Sequence, residues 1–244
     1  MINHDHRCIF VHIPKTAGNS INRVFGVKWQ DHKDLASYAA EQPAEVIEQY
    51  YKFAIVRNPW ARMLSDYNYQ VKKSRAKDSK LFLYDDQGEQ RLFRAWIEAA
   101  LSDPFRYAPS TWGGDTSAKV HRWSPQVDWM SLDGEIAVNK IVHLENLDQG
   151  FGEVCEHLGI NAPRVPHRNG RFHFHYSWYY DNSTRDLIGE YYAKDIEAFG
   201  YSFDPCASRR VWVALGNVFA GAPLPTDTRR AAFASVANKR LISG

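Results

Sequence analysis

The stretch that decides the fold is Cys8-Ile9-Phe10-Val11-His12-Ile13-Pro14-Lys15-Thr16-Ala17-Gly18-Asn19-Ser20. Cys8 to Val11 is an apolar run of the length of a buried strand. Pro14 ends any ladder, because it has no N–H to donate. Lys15, the small residues Thr16, Ala17 and Gly18, and the small polar Asn19 and Ser20 follow. Ile21, Val24 and Phe25 then recur at helical spacing, and Gly26 is placed to close that helix. The order is strand, tight loop, helix start. Such a loop leaves backbone N–H groups unpaired at the positive end of a helix, here with an ammonium beside them. Phosphate or sulfate oxygens fit that environment.

The same order recurs once. Phe53-Ala54-Ile55-Val56 reads as a second buried strand and runs into Arg57-Asn58-Pro59-Trp60. Asn58 is a good N-cap and Pro59 a good first helical residue. Trp60, Met63, Leu64 and Tyr67 form the apolar stripe of that helix, with Arg62, Ser65, Asp66 and Tyr69 on another face. A crossover helix fits Ala44 to Tyr51, while residues 31–34 read as a loop or helix start. Two strand–helix units joined by a helical crossover predict an α/β fold, a central parallel sheet flanked by helices. Corners at the carboxyl ends of neighbouring parallel strands form the usual ligand crevice of such a sheet. One corner offers Lys15 and backbone donors. The other offers the planar fork of Arg57 and the Ser65 hydroxyl. A ligand with two separate phosphate-like groups suits both.

Further along, Leu92, Phe93, Trp96, Ile97, Ala100 and Leu101 predict a helix, and residues 102–124 a long loop. One or two strands fall within Ile136 to Leu144. Phe151, Val154, Cys155 and Leu158 mark a helix stopped by Gly159, and one helix runs from near Asn182 to Phe199. Residues 1–203 read as the main domain and 204–244 as an appendage. A net charge of +2 gives no bulk argument for nucleic acid. The three cysteines, Cys8, Cys155 and Cys206, have unrelated spacings, so a reducing compartment is expected. No apolar run nears roughly 18 residues and no basic-then-apolar leader opens the chain, so a cytoplasmic protein without a membrane span is expected. His167, His173 and His175 invite a metal, but no cysteine or carboxylate stands at zinc-like spacing, and none is expected. The pattern GxxxxGK[ST] is absent because Gly18 follows Lys15, which disfavours a plain ATP-using P-loop enzyme.

His12-Ile13-Pro14-Lys15-Thr16-Ala17-Gly18-Asn19-Ser20 resembles the 5′-phosphosulfate loop of sulfotransferases that use 3′-phosphoadenosine 5′-phosphosulfate (PAPS). Val56-Arg57-Asn58-Pro59-Trp60-Ala61-Arg62-Met63-Leu64-Ser65-Asp66-Tyr67 resembles their 3′-phosphate element. The branch it is most similar to is that of carbohydrate sulfotransferases, including 2-O- and chondroitin-type enzymes and bacterial relatives. Weaker likenesses at Ser124-Pro125-Gln126-Val127-Asp128, at His143-Leu144-Glu145-Asn146-Leu147 and from Tyr192 to Tyr201 extend it over roughly residues 7–203. The resemblance implies a P-loop-like sulfotransferase architecture and transfer of the sulfuryl group from PAPS to a hydroxyl, releasing 3′,5′-ADP (PAP), without a metal. It implies Lys15 on the bridging and sulfuryl oxygens. The N–H groups of Thr16, Ala17, Gly18, Asn19 and Ser20, with the Thr16 and Ser20 hydroxyls, would hold the 5′-phosphate. Arg57 and Ser65 would hold the 3′-phosphate, with Arg168 and Arg171 in a late loop over the nucleotide. The expected partner is a hydroxyl-bearing glycan. The alternatives are a P-loop-like nucleotide-dependent kinase or other transferase, and a non-catalytic nucleotide- or glycan-binding module.

A hydroxyl acceptor must lose its proton to a base. The family implies a His or Glu, often between the two motifs, and the only His there is His32. Its imidazole titrates near neutral pH, with Asp31 or Asp34 at hand to set the tautomer. His121 is the second candidate. Glu41, Glu45 and Glu48 come third, and a solvated helix face accounts for them as well.

Overall fold

The computed structural model describes residues 1–27, 32–74, 83, 87, 90–102, 120–161 and 175–205. Its sheet has four strands in spatial order of the sequence: β1 (Ile2–Asn3), β2 (Cys8–Val11), β3 (Tyr51–Val56) and β4 (Lys140–His143). β2, β3 and β4 are parallel, and β1 adds an antiparallel edge. Cys8 stands opposite Tyr51 and Val11 opposite Ala54; on the other side Val56 stands opposite His143. All of β2 and most of β3 are buried, as expected for parallel strands covered on both faces.

Side-chain alternation divides the core. Phe10, Phe53, Ile55 and Val142 pack on one face with Phe151, Val154 and Cys155 of α6 (Leu147–His157). Val11, Ala54 and Val56 pack on the other with Leu35, Trp129, Met130 and Phe199. The crossover from β2 to β3 is made by α1 (Gly18–Val24), α2 (Leu35–Glu41) and α3 (Ala44–Gln49). After β3 comes α4 (Pro59–Ser74), where the Asn58 carboxamide accepts from the Ala61 N–H at 3.3 Å as an N-cap. The Trp60, Met63, Leu64 and Tyr67 stripe of α4 is buried against α5 (Phe93–Ser102) and α7 (Asn182–Tyr191).

Several observed elements refine or depart from the sequence expectation. The crossover helix stops at Gln49, and Tyr51 opens β3 instead, because Tyr50 already has extended backbone at ψ 140°. The loop or helix start expected at 31–34 leads, as one of its two readings, into α2, whose N-terminus is capped by the Asp34 carboxylate accepting from the Ser37 N–H at 2.7 Å. A small hairpin pairs Ser131–Leu132 with Glu135–Ile136; its turn uses Asp133 and Gly134 at φ 51° and 88°, the left-handed pair that Asp-Gly favours. The last helix is two: α7 breaks at Tyr192, and α8 (Ala193–Phe199) follows. Buried Tyr192 donates to the Trp123 carbonyl at 2.7 Å, and the break turns Asp195 inward onto the Val127 N–H at 3.0 Å. Residues 206–244, and with them nearly all of the expected appendage, lie outside the described residues.

Arg62 ties these parts together. It is 2% exposed, and its guanidinium donates to the carbonyls of Pro14 (3.1 Å), Ser124 (3.1 Å) and Arg122 (2.8 Å). It thus joins the Lys15 loop to the chain before the Gln126 turn. Arg62→Leu leaves three buried carbonyls without donors and should cost about 3 kcal/mol of unfolding free energy in urea titrations. Arg62→Lys should restore only part of it, because one ammonium cannot span a fork's three acceptors.

Candidate active site

The loop after β2 is held in an unusual backbone shape. Lys15 and Ala17 both lie in the left-handed region, at φ 71° and 68°. Two such non-glycine residues in three store strain of the kind found at ligand sites. Thr16, fully buried, donates its hydroxyl to the Ile13 carbonyl at 2.9 Å and so braces the turn from inside. The Ser20 N–H is taken by the Ala17 carbonyl at 2.8 Å. The N–H groups of Thr16, Ala17, Gly18 and Asn19 have no backbone acceptor among the described residues. The cradle expected from residues 16–20 is therefore narrower than the sequence suggested. Its donors are the N–H groups of 16–19, and the Thr16 hydroxyl is committed to the loop.

Gly18 is required by contact. A Cβ there would lie 1.8 Å from His12 Cδ2 and Nε2. The His12 ring is 4% exposed, stacks on Phe10 with centroids 5.6 Å apart, and lies 4.1 Å from the His32 ring. It fills the space beneath the loop, and its Nδ1 has no partner among the described residues. Burial, then His32, holds its pKa well below the usual imidazole range. His12 is thus a neutral packing plate.

The second corner follows β3. Gln126 accepts from the Arg57 N–H and donates to the Arg57 carbonyl, both at 2.9 Å, so its carboxamide pairs with Arg57 as a neighbouring strand would. The Gln126 carboxamide also donates to Asp195 at 3.0 Å. Glu145, just past β4, accepts from the Asn58 N–H at 2.9 Å and from the Tyr201 hydroxyl at 3.2 Å. The Arg57 guanidinium, with Nη1 3.3 Å from the Lys15 carbonyl, reaches across to the first corner. It forms no ion pair among the described residues; burial lowers its pKa and nearby Glu145 opposes that. Ser65 is half-buried on α4, two turns further on, and its hydroxyl has no described partner. The two corners thus lie against each other.

Lys15 and His32 lie near each other beside the first corner. The Lys15 ammonium has no carboxylate within ion-pair distance among the described residues. Burial lowers its pKa to about 7, Asp66 raising it and Arg122, Arg57 and Lys72 adding to the fall. His32 Nδ1 lies 2.8 Å from the His12 carbonyl, which can only accept, so Nδ1 carries the proton and Nε2 the lone pair. A backbone carbonyl, not a carboxylate, fixes this tautomer; Asp34 is committed to capping α2, and Asp31 lies outside the described residues. Burial lowers the His32 pKa to about 4; its hydrogen bond to His12 raises it, and Arg122 and Lys15 lower it further. His121 is placed differently. Its Nδ1 accepts from the Trp123 N–H and its Nε2 meets the Tyr191 hydroxyl, each at 3.2 Å. Glu41 is spent on Lys33 at the surface.

The sequence left one cluster unread. Asp66, 1% exposed, binds Arg122 through both oxygens, with Nε at 2.7 Å, and accepts from the Trp123 indole at 2.7 Å. Arg122 and Trp123 come from the stretch expected to be loop, and no local pattern pairs them with Asp66 across 56 residues. Arg168, Arg171, His167 and His173 lie outside the described residues. Among the described residues no group of three or more His, Cys, Asp or Glu is arranged to hold a metal, and no helix is long and apolar enough to cross a membrane.

The model of the sulfotransferase family matches residues 1–202, and the chain belongs to that family. No curated protein and no solved structure matches it.

Gly18→Ala should force the His12 ring from a site with no slack and cost about 2–3 kcal/mol in thermal or urea unfolding. The double variant Gly18→Ala with His12→Ala should be less destabilised than the sum of the single changes, because the clash then has no partner.

Proposed function

We propose that the protein transfers the sulfuryl group of PAPS to a hydroxyl of a carbohydrate acceptor by in-line displacement. The observation that supports this reading is the Arg57 guanidinium against the Lys15 carbonyl, which brings the two corners together. Each corner holds a cation without an ion-pair partner among the described residues, and the loop adds unpaired N–H groups. That donor set fits a nucleotide bearing anions at both ends. PAPS supplies an activated sulfuryl group and, in its 3′-phosphate, the feature that separates it from ordinary adenine nucleotides.

The chain's own residues then have distinct tasks. The N–H groups of Thr16 to Asn19 point donors at the 5′-phosphate end. Arg57 and Ser65 grip the 3′-phosphate, the fork matching its oxygens. Lys15 holds the oxygens on which negative charge grows as the sulfuryl group leaves. His32 offers Nε2 to the acceptor hydroxyl; it is neutral at pH 7, the state a base needs. Arg168 and Arg171 remain proposed contacts of the nucleotide.

Incubation with radiolabelled PAPS and a panel of glycans should label a carbohydrate, while adenosine 5′-phosphosulfate should serve poorly. Arg57→Ala should weaken PAP binding about 10- to 100-fold, the size of one or two charge-assisted hydrogen bonds, yet leave adenosine 5′-phosphosulfate binding nearly unchanged. Equal losses for both would refute the 3′-phosphate assignment.

PAP binding should also depend on pH. In the free protein Lys15 loses its proton near pH 7, and a bound anion must raise that value. Affinity is therefore full below about pH 7 and falls by up to about tenfold per unit as pH rises toward the bound-state pKa. Calorimetry in buffers of different ionisation enthalpy should show proton uptake on binding at pH 8 and little at pH 6.

A further inference from the structure

We infer that Tyr69 is a positioning residue that holds the Lys15 ammonium against its ring face, where a carboxylate would otherwise stand. The inference rests on the reading above and extends it to a residue outside both sequence motifs. The Lys15 ammonium sits 4.1 Å from the centroid of the Tyr69 ring, and the Arg122 guanidinium sits 5.3 Å from the same ring. Tyr69 lies one helical turn after Asp66 on α4, so both side chains face the Lys15 loop.

Asp66 is the obvious ion-pair partner for Lys15, but it is already engaged by Arg122 and Trp123 and acts on Lys15 only at a distance. Arg122 occupies both of its oxygens and the Trp123 indole occupies Oδ2 again. The aromatic face supplies the missing attraction without an anion. A carboxylate in its place would satisfy the ammonium in the free protein. It would also compete with every anionic oxygen that arrives. The ring does neither, so among the described residues no anion stands between Lys15 and an arriving oxygen. The charged and titratable groups around Lys15 are Asp66 and Tyr69 on α4, Lys72 one turn later, Arg57 past β3, Arg122, and the imidazoles of His12 and His32. Four of these, Arg57, Lys72, Arg122 and a protonated His32, repel the ammonium. Tyr69 and Asp66 draw it into place.

The test reads Lys15 itself in the ligand-free protein. With lysine isotope-labelled at Cε, the Lys15 signal is identified by its loss in Lys15→Arg. Its ε protons should be displaced upfield by the ring current in the wild type and in Tyr69→Phe, and should return to the ordinary lysine position in Tyr69→Leu. The Lys15 titration midpoint should fall by about half a pH unit or more in Tyr69→Leu and stay in Tyr69→Phe. The sign follows from the loss of attraction, which favours the uncharged amine. The alkaline limb of kcat/KM should move to lower pH by the same amount in Tyr69→Leu only. A packing role alone would lower the melting temperature of Tyr69→Leu and remove the ring-current displacement, yet leave the Lys15 titration midpoint where it was, which overturns the inference. Equal effects of Phe and Leu would overturn it too, by assigning the effect to the hydroxyl. If the ring-current displacement is present but PAP does not bind the wild type, the proposed donor falls while the contact between Tyr69 and Lys15 stands.

Discussion

The parallel register of β2 and β3 is the constraint on which the site depends. With Val11 opposite Ala54, both strands end at the same edge of the sheet, and each chain leaves it within a few residues of the other. Lys15 and Arg57 therefore meet although 42 residues separate them. β4 extends the same edge, and Glu145 just beyond it closes on the Asn58 N–H. A register slip of one residue would exchange the faces of Phe10 and Val11, burying neither set against its helices. The core on both faces thus fixes the corners as firmly as any contact between them.

Around that edge a polar frame does what apolar packing cannot. Arg62 gathers three carbonyls, Gln126 mimics a strand against Arg57, and Asp195 receives both Gln126 and the Val127 N–H. Burial pushes the Asp195 carboxyl up, and its hydrogen bonds oppose this. Asp66 has the opposite balance: burial disfavours its charge, but Arg122 outweighs that and holds its pKa below the usual carboxylate range. Buried ion pairs add little net stability, since desolvation offsets most of their attraction. What this pair does is anchor residues 121–124 against α4 and leave Lys15 without an acid.

Much of this frame was out of reach of the sequence. The two strand–corner–helix units were legible because each is local: an apolar run, a proline, a cap and a stripe lie within about a dozen residues of one another. The positions of Lys15, Arg57 and Ser65 were legible for the same reason, since each sits at a fixed offset in its unit. The partners of Asp66 and Gln126 were not. Both are polar residues that look solvated on a helix face or in a loop, and only long-range folding buries them. The boundary at Tyr50 and the break at Tyr192 failed differently. In both, helical periodicity continues through a point where tertiary contacts bend the backbone. The two-stranded turn at Asp133-Gly134 carried a readable signal that its short flanking runs obscured.

The electrostatic state of the crevice ties recognition to chemistry. Arg57, Lys15 and Arg122 crowd together, and among the described residues Asp66 is the one carboxylate paired directly with any of them, so positive charge outweighs negative there. Burial and that charge together are why Lys15 titrates near 7 and His32 near 4. On the proposed reading, a ligand with several negative charges reverses both shifts at once. Lys15 becomes firmly protonated, and so able to hold the oxygens of a departing phosphate. His32 returns toward the ordinary imidazole value, where Nε2 is a stronger base than in the free protein. The same charge that selects the donor would then switch the acid and the base into their working states, so chemistry is armed only when the crevice is filled.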